Sequence, residues 1–197
     1  MTDPLDRYLR ASAGFSAVLA EMRPDQLRSP TPCTEWDVRQ LVNHMTRGNL
    51  NYALLASGGS ASEFLALRDR DALGGEPLSA YAPSVRECAE SFRRPGVLDR
   101  VLDYPLGKVT GRQALAVRTA DSVIHTWDLA RALGVSDCLD PTLVTWILAE
   151  RPAIYAGLDG MAAFFGPVVP GRASESDQDR LMRGFGRTPG WRPPGGG

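Results

Sequence analysis

Between Leu5 and Met22 the apolar residues Leu5, Tyr8, Leu9, Phe15, Leu19 and Met22 recur at steps of three and four, with Ser12 and Ser16 in the gaps. That period predicts an amphipathic helix, and Pro24 ends it. In the Pro- and hydroxyl-rich stretch that follows, Thr34 with Asp37 three places on reads as a capping box with the shorter acid. A second helix is expected to start there and to run through Val38, Leu41, Val42, Met45, Tyr52 and Leu55 to the break Ser57-Gly58-Gly59-Ser60. Residues 60–76 read as a connection with one short turn of helix, and helical spacing returns from Leu78 to Phe92 before Pro95-Gly96 stops it. From Val97 to Val109 the texture turns extended and predicts a short hairpin. The strongest helical segment is Arg112–Leu133, with Ala114, Leu115, Val117, Ile124, Leu129 and Leu133 as its apolar face and Gly134 as its stop. Pro141 opens a further helix that Pro152 should kink or divide, and Asp177–Arg183 predicts a short one. Trp191 to Gly197 reads as a frayed tail.

Four long helices, two short loops and one long crossover make an all-α four-helix bundle, expected as a single domain over residues 1–190 with a flexible tail at 191–197. Strands do not alternate with helices and no Gly-rich phosphate loop is present, which excludes an α/β nucleotide-binding fold. The charges, 22 basic against 23 acidic for a net of −1, leave no basic surface for phosphates. Neither nucleic acid nor a membrane surface is an expected partner. No run approaches the ~18 apolar residues of a spanning helix. Asp3, Asp6 and Arg7 stand where a secretory signal needs an apolar core, so the expected location is the cytoplasm. Cys33, Cys88 and Cys138 lie far apart with no C-x-x-C pair and read as reduced thiols, buried as small hydrophobes. Lys108 is the single lysine among the 22 basic residues, an Arg bias that points to a GC-rich genome.

The chain has two histidines, His44 and His125, so any imidazole chemistry uses one or both. Asp121 and His125 are four apart and project from one helix face, with Asp128 three beyond on the same side. A carboxylate and an imidazole so placed can share a divalent ion, but two ligands under-coordinate it, and a third must come from another helix. His44 is the other imidazole, mid-helix, with Leu41 and Gly48 one turn away. Two imidazoles and one carboxylate bind Zn²⁺, Fe²⁺ or Ni²⁺ and leave positions open. An Asp and a His four apart also occur by chance in ordinary helices. Asp128 reads either as a surface partner of Arg131 or as a carboxylate that fixes a ligand histidine's tautomer through its distal N–H. Arg47, Asn51 and Arg118 lie within two turns of these residues and are candidates to bind polar parts of a substrate, or else solvated surface residues.

The run Thr31-Pro-Cys-Thr-Glu-Trp-Asp-Val-Arg-Gln-Leu-Val-Asn-His44, with Asp121-Ser-Val-Ile-His-Thr-Trp-Asp-Leu-Ala-Arg131 later, resembles the actinobacterial metal-binding branch of the DinB-like superfamily. Members of that branch are similar to the N-terminal domain of mycothiol-dependent maleylpyruvate isomerase. Phe165-Gly-Pro-Val-Val-Pro170 and Asp179-Arg-Leu-Met182 through Trp191 extend the resemblance over nearly the whole chain. The resemblance implies a DinB-like bundle holding one divalent metal, usually zinc, through His44, Asp121 and His125. The isomerase carries glutamate where this chain has Asp121, and nothing here matches the isomerase's additional C-terminal domain. The implied activity is therefore a metal-dependent thiol (mycothiol) S-transferase or isomerase-like reaction, in which the metal activates a thiol for attack on a small electrophile. Two other readings stand beside it: a metal-dependent hydrolase with Asp128 as base or orienter, and a non-catalytic metal- or small-molecule-binding stress protein. The expected partners are a small-molecule thiol and an electrophilic substrate, and the chain is expected as a monomer or a homodimer.

Overall fold

A computed structural model describes residues 3–75, 77–158, 165–171 and 174–194. Helix α1 (Pro4–Ala20) opens on Asp3, whose carboxylate accepts the N–H of Leu5, and a 3-10 turn (Pro24–Arg28) follows it. Helix α2 (Val38–Ala56) is capped by Asp37, not by Thr34. The Asp37 carboxylate accepts the N–H of Gln40, and the Gln40 side chain accepts the N–H of Asp37, a reciprocal pair that satisfies two orphan donors. Upstream, the Thr31 hydroxyl donates to the Trp36 carbonyl and the Val38 N–H to that of Ser29. These bonds hold residues 29–37 in a closed loop, so the helix begins only past it.

Helix α3 (Ala61–Leu67) occupies the expected connection, and α4 (Pro77–Arg93) follows. Strands β1 (Val101–Tyr104) and β2 (Gly107–Thr110) form the expected hairpin, with Leu102 paired to Val109 and both buried. Helix α5 (Gly111–Leu133) ends on Gly134 in the left-handed region, the conformation glycine adopts without a Cβ clash. Helix α6 (Pro141–Ile154) is not divided by Pro152, which falls in its last turn; the one i→i−4 bond its missing N–H removes lies where the helix is already ending. Helix α7 (Asp177–Gly184) is the short one expected.

Helices α1, α2, α4 and α5 form the bundle: α5 packs on α1 and α2, and α4 packs on the same two from the other side. Inside lie Tyr8, Phe15, Leu41, Met45, Leu55, Tyr81, Phe92 and Leu115. On the outer side of α5, a second core of Ile124, Trp127, Leu143, Ile147, Met182 and Phe185 joins it to α6 and α7. Each large apolar side chain so buried contributes about 1.5–3 kcal/mol relative to exposure. Covered on both sides, α5 buries polar residues too, among them Arg118, Ser122, His125 and Asp128. At Trp191, where the tail is expected to begin, Arg131 donates through Nε to the carbonyl at 3.0 Å and the indole packs on the second core. Residues 195–197 of the expected tail lie outside the described residues. No helix among the described residues is long and apolar enough to cross a membrane. The architecture is the all-α, DinB-like bundle with a short hairpin that the sequence implies.

Candidate metal centre

Where α2 lies against α5, three side chains converge. His44 Nε2 is 3.3 Å from Asp121 Oδ2, and His125 Nε2 is 3.2 Å from Asp121 Oδ1. The two imidazoles stand nearly edge to face, 71° apart with centroids 4.9 Å from each other. Ligand atoms 2.0–2.2 Å from a tetrahedral zinc lie roughly 3.3–3.6 Å from one another, and each imidazole stands close to that distance from a different oxygen of Asp121. All three ligand atoms fall within 4.8 Å of one another, and among the described residues no fourth protein ligand joins them. The donor set of two nitrogens and an oxygen fits a divalent ion of the zinc class.

Burial pushes the Asp121 carboxyl up, but the charges of His125 and His44 and their hydrogen bonds outweigh it and hold it well below the usual carboxylate range. His44 is pushed down by burial, with Asp121 opposing. For His125 burial is overcome by Asp121 and by hydrogen bonds to Asp128 and Cys33, and its pKa stands well above the ordinary value.

Each ligand has a support of its own. The Trp36 indole lies on the His44 ring, 4.6 Å between centroids. Arg118, buried, donates through Nη1 to Asp121 Oδ2 at 2.6 Å, through Nε to Asn49 Oδ1 at 2.8 Å and through Nη2 to the Met45 carbonyl at 2.7 Å. Asn49 is in turn held by Tyr8 and Ser84. The pair Arg118 and Asp121 carries no net charge, so a dication bound there would keep its electrophilic character. His125 Nδ1 is 2.9 Å from Asp128 Oδ2. Asp128 is held low, at about 2, because Arg187 and His125 outweigh the burial that would raise it.

A second group, Cys33, His125 and Asp128, also has ligand atoms within range of one another. The Arg187 guanidinium already touches it, with Nη2 2.7 Å from Asp128 Oδ2 and 3.2 Å from Cys33 Sγ. A guanidinium thus stands at two of the three members of this group, whereas Arg118 meets only Asp121 in the other. Beside His44 opens a cleft of about 240 Å³ lined by Trp36, Arg39, Gln40, Asn43, Arg68, Asp69 and Asp71.

The structure thus brings His44, Asp121, His125 and Asp128 together. Asp128 takes the inward role of the two open to it, since Arg131 pairs with Asp137 instead. The three substrate-binding candidates have their polar groups engaged within the protein. Arg47 donates to the carbonyls of Arg70 and Asp71 and pins that loop to α2. Asn51 is buried and donates to the Phe64 carbonyl of α3. Arg118 is neither solvated nor free for substrate, being spent on Asp121. Sequence reasoning missed Cys33 and Trp36 as neighbours of the site, although both lie in the motif that ends at His44. It also missed Arg187, for which no local signal exists.

Residues 8–130 match the family described as mycothiol maleylpyruvate isomerase N-terminal domain. Among curated proteins, the chain is 34% identical over 187 residues to an uncharacterised protein of Mycobacterium tuberculosis strain CDC 1551 / Oshkosh, covering 94% of this chain and 98% of that protein. An uncharacterised protein of strain H37Rv matches equally, at 34% over 187 residues. No solved structure matches the chain significantly. The match spans most of the bundle, includes all three converging ligands and has mycobacterial relatives, so the chain belongs to the mycothiol maleylpyruvate isomerase N-terminal domain family, within the DinB-like bundles of actinobacteria.

Proposed function

We propose that this protein is a metal-dependent transferase that joins a low-molecular-weight thiol, mycothiol first among them, to a small electrophile in the cytoplasm. His44, Asp121 and His125 are the residues that would hold the ion, with Zn²⁺ the first choice and Fe²⁺ or Ni²⁺ sharing the donor set. One observation carries the reading: two imidazole nitrogens and a carboxylate sit at ligand spacing, no fourth ligand closes the set among the described residues, and a cleft opens beside it. A closed structural site would supply the fourth ligand from protein. When bound, the ion supplies the Lewis acidity that ionises a thiol, whose ordinary pKa of ~8.5 leaves it only a few per cent thiolate at neutral pH.

The chain's own residues do the rest. Arg118 fixes the Asp121 carboxylate from inside the bundle. Asp128 orients the His125 ring through Nδ1, and Trp36 packs on one face of His44. Arg39, Asn43 and Arg47 tie the 70–74 loop to α2, which gives the cleft a fixed wall. The family description supports mycothiol as the thiol, and the cleft supports a small second substrate.

Isothermal titration of zinc-loaded and metal-free protein with mycothiol tests the reading. Heat is expected with the loaded protein alone, and its absence with mycothiol and with other cellular thiols would sink the transferase assignment. Turnover of ester or amide substrates without added thiol would point to hydrolysis instead.

A further inference from the structure

Behind His125, on the side away from His44, the site is closed by a residue that lies beyond the family match. Arg187 follows α7 and reaches back to α5, where its Nε donates to Asp128 Oδ1 at 3.1 Å and its Nη2 to Asp128 Oδ2 at 2.7 Å. Arg187 is 7% exposed and Asp128 fully buried. Charges so buried persist only when paired, and a fork engaging both carboxylate oxygens is the geometry that fixes the partner's orientation as well as its charge.

The turn that delivers Arg187 is built for it. Gly186 has φ +78°, and a Cβ there would stand 2.1 Å from the Phe165 carbonyl oxygen, so both conformation and space require glycine. The Arg187 N–H donates to the Met182 carbonyl at 2.9 Å and its Nη1 to that of Phe185 at 2.8 Å, which leaves Nε and Nη2 aimed at Asp128. Cys33 closes the arrangement from the loop before α2, its thiol donating to Asp128 Oδ2 at 3.2 Å.

We propose that Arg187 is a positioning residue for His125. It holds Asp128 as a fixed acceptor for the Nδ1 proton, which sets the ring so that Nε2 is the nitrogen turned to Asp121 and His44. The inference rests on the reading of those three residues as a metal position. Its physical content concerns the imidazole itself, which can be observed without metal. With Arg187 replaced by a neutral side chain, Asp128 is left as a buried carboxylate without its cation, and the ring loses a fixed partner. Outer carboxylates of this kind change metal affinity by about 10–100-fold when disturbed.

The test uses the full chain with ¹⁵N-labelled histidine. Only two imidazoles are present, so a His44→Gln variant assigns both. In metal-free wild type, the His125 Nδ1 proton, held by Asp128, is expected to exchange slowly. Arg187→Met and Asp128→Asn are expected to speed exchange of that proton and shift the His125 ring signals, and to weaken zinc binding in competition with a chelator by about 10–100-fold. Arg187→Lys, which restores charge without the fork, should recover part of both. Arg180→Met, which removes an exposed ion pair on α7, should change neither. If Arg187→Met does not fold, as judged by circular dichroism, the Lys variant and Asp128→Asn carry the test. Unchanged His125 signals and unchanged zinc affinity in folded variants would overturn the inference. Wild type that binds no zinc while the variants still shift the His125 signals would support the inference about His125 and overturn the metal reading.

Discussion

A Cβ on residue 48 would stand 2.6 Å from Arg118 Nη1, so Gly48 is the gap in α2 through which the guanidinium passes to reach Asp121. His44 lies one turn before that gap and Asp121 one turn after Arg118, so a missing side chain on one helix sets the charge balance of a candidate ligand on the other. The end of an arginine is ordinarily free to move aside. This one is buried and held by Asn49, the Met45 carbonyl and Asp121 together, so displacement breaks bonds inside the core.

Gly48→Ala is therefore expected to destabilise the protein although alanine favours helix by about 1 kcal/mol. Overpacking costs about 1–3 kcal/mol, and disturbed hydrogen bonds to a buried charge add to it, so the net loss is expected at about 1–2 kcal/mol. Urea denaturation measures it, and zinc titration should show weaker binding alongside. A Gly48→Ala protein as stable as wild type would show that Arg118 has another path.

At the start of α6, Asp140 caps the helix and binds Arg10 of α1. Burial pushes the Asp140 carboxyl up, but the hydroxyl and N–H of Thr142 and the Arg10 guanidinium together outweigh it and lower its pKa. A carboxylate depressed in the folded state contributes stability above its unfolded pKa and loses it as the pH falls through the folded value. Asp140→Ala is expected to cost about 1 kcal/mol at pH 7, the worth of an N-cap, and to differ from wild type progressively less below about pH 4. Melting temperatures across that range check it, and a difference that persisted at low pH would assign the stabilisation to something other than the charge.

The cysteines, read together from sequence as buried thiols, separate in the structure: Cys88 is buried, Cys33 partly so and Cys138 exposed. Burial among Tyr8 and apolar neighbours pushes the Cys88 thiol up to about 11. At pH 8 a water-soluble thiol reagent is expected to label Cys138 within minutes and to leave Cys88 untouched until denaturant is added, as mass spectrometry of peptides would show. Labelling of Cys88 in the native protein at the rate of Cys138 would mean that the α1–α4 side of the bundle opens.

Periodicity located the helices because each bundle helix has one face to bury, and the hairpin stood out because Leu102 and Val109 alternate with exposed neighbours. The exact start of α2 was not legible, since Thr34 and Asp37 both carry capping side chains and the choice depends on a loop closed by Thr31 and Trp36. His44, Asp121, His125 and Asp128 were legible as a set because helical spacing and scarcity of histidine pointed to the same residues. Arg118 was misplaced because a lone arginine on a helix ordinarily faces solvent, and only the gap at Gly48 on another helix makes its burial affordable. Arg187 was beyond reach: its partner Asp128 is 59 residues away, and no spacing rule connects them.

Two substitutions at the candidate centre are expected to lose metal alike and stability very differently. His44 is half-buried, and its removal by His44→Ala leaves no charge uncompensated, since Arg118 keeps Asp121. Asp121→Asn removes the carboxylate that Arg118 meets at 2.6 Å and leaves a guanidinium, 1% exposed, with neutral partners only. Breaking a buried pair on one side costs about 3–5 kcal/mol. Elemental analysis of the purified variants is expected to show metal lost from both, while urea denaturation shows a small change for His44→Ala and a large one for Asp121→Asn. The double variant Asp121→Asn, Arg118→Met removes the stranded charge along with its partner and is expected to regain much of the stability without regaining metal. Equal stability of the two single variants would mean that Arg118 finds another acceptor, and metal retained by both would remove His44 and Asp121 from the ligand set.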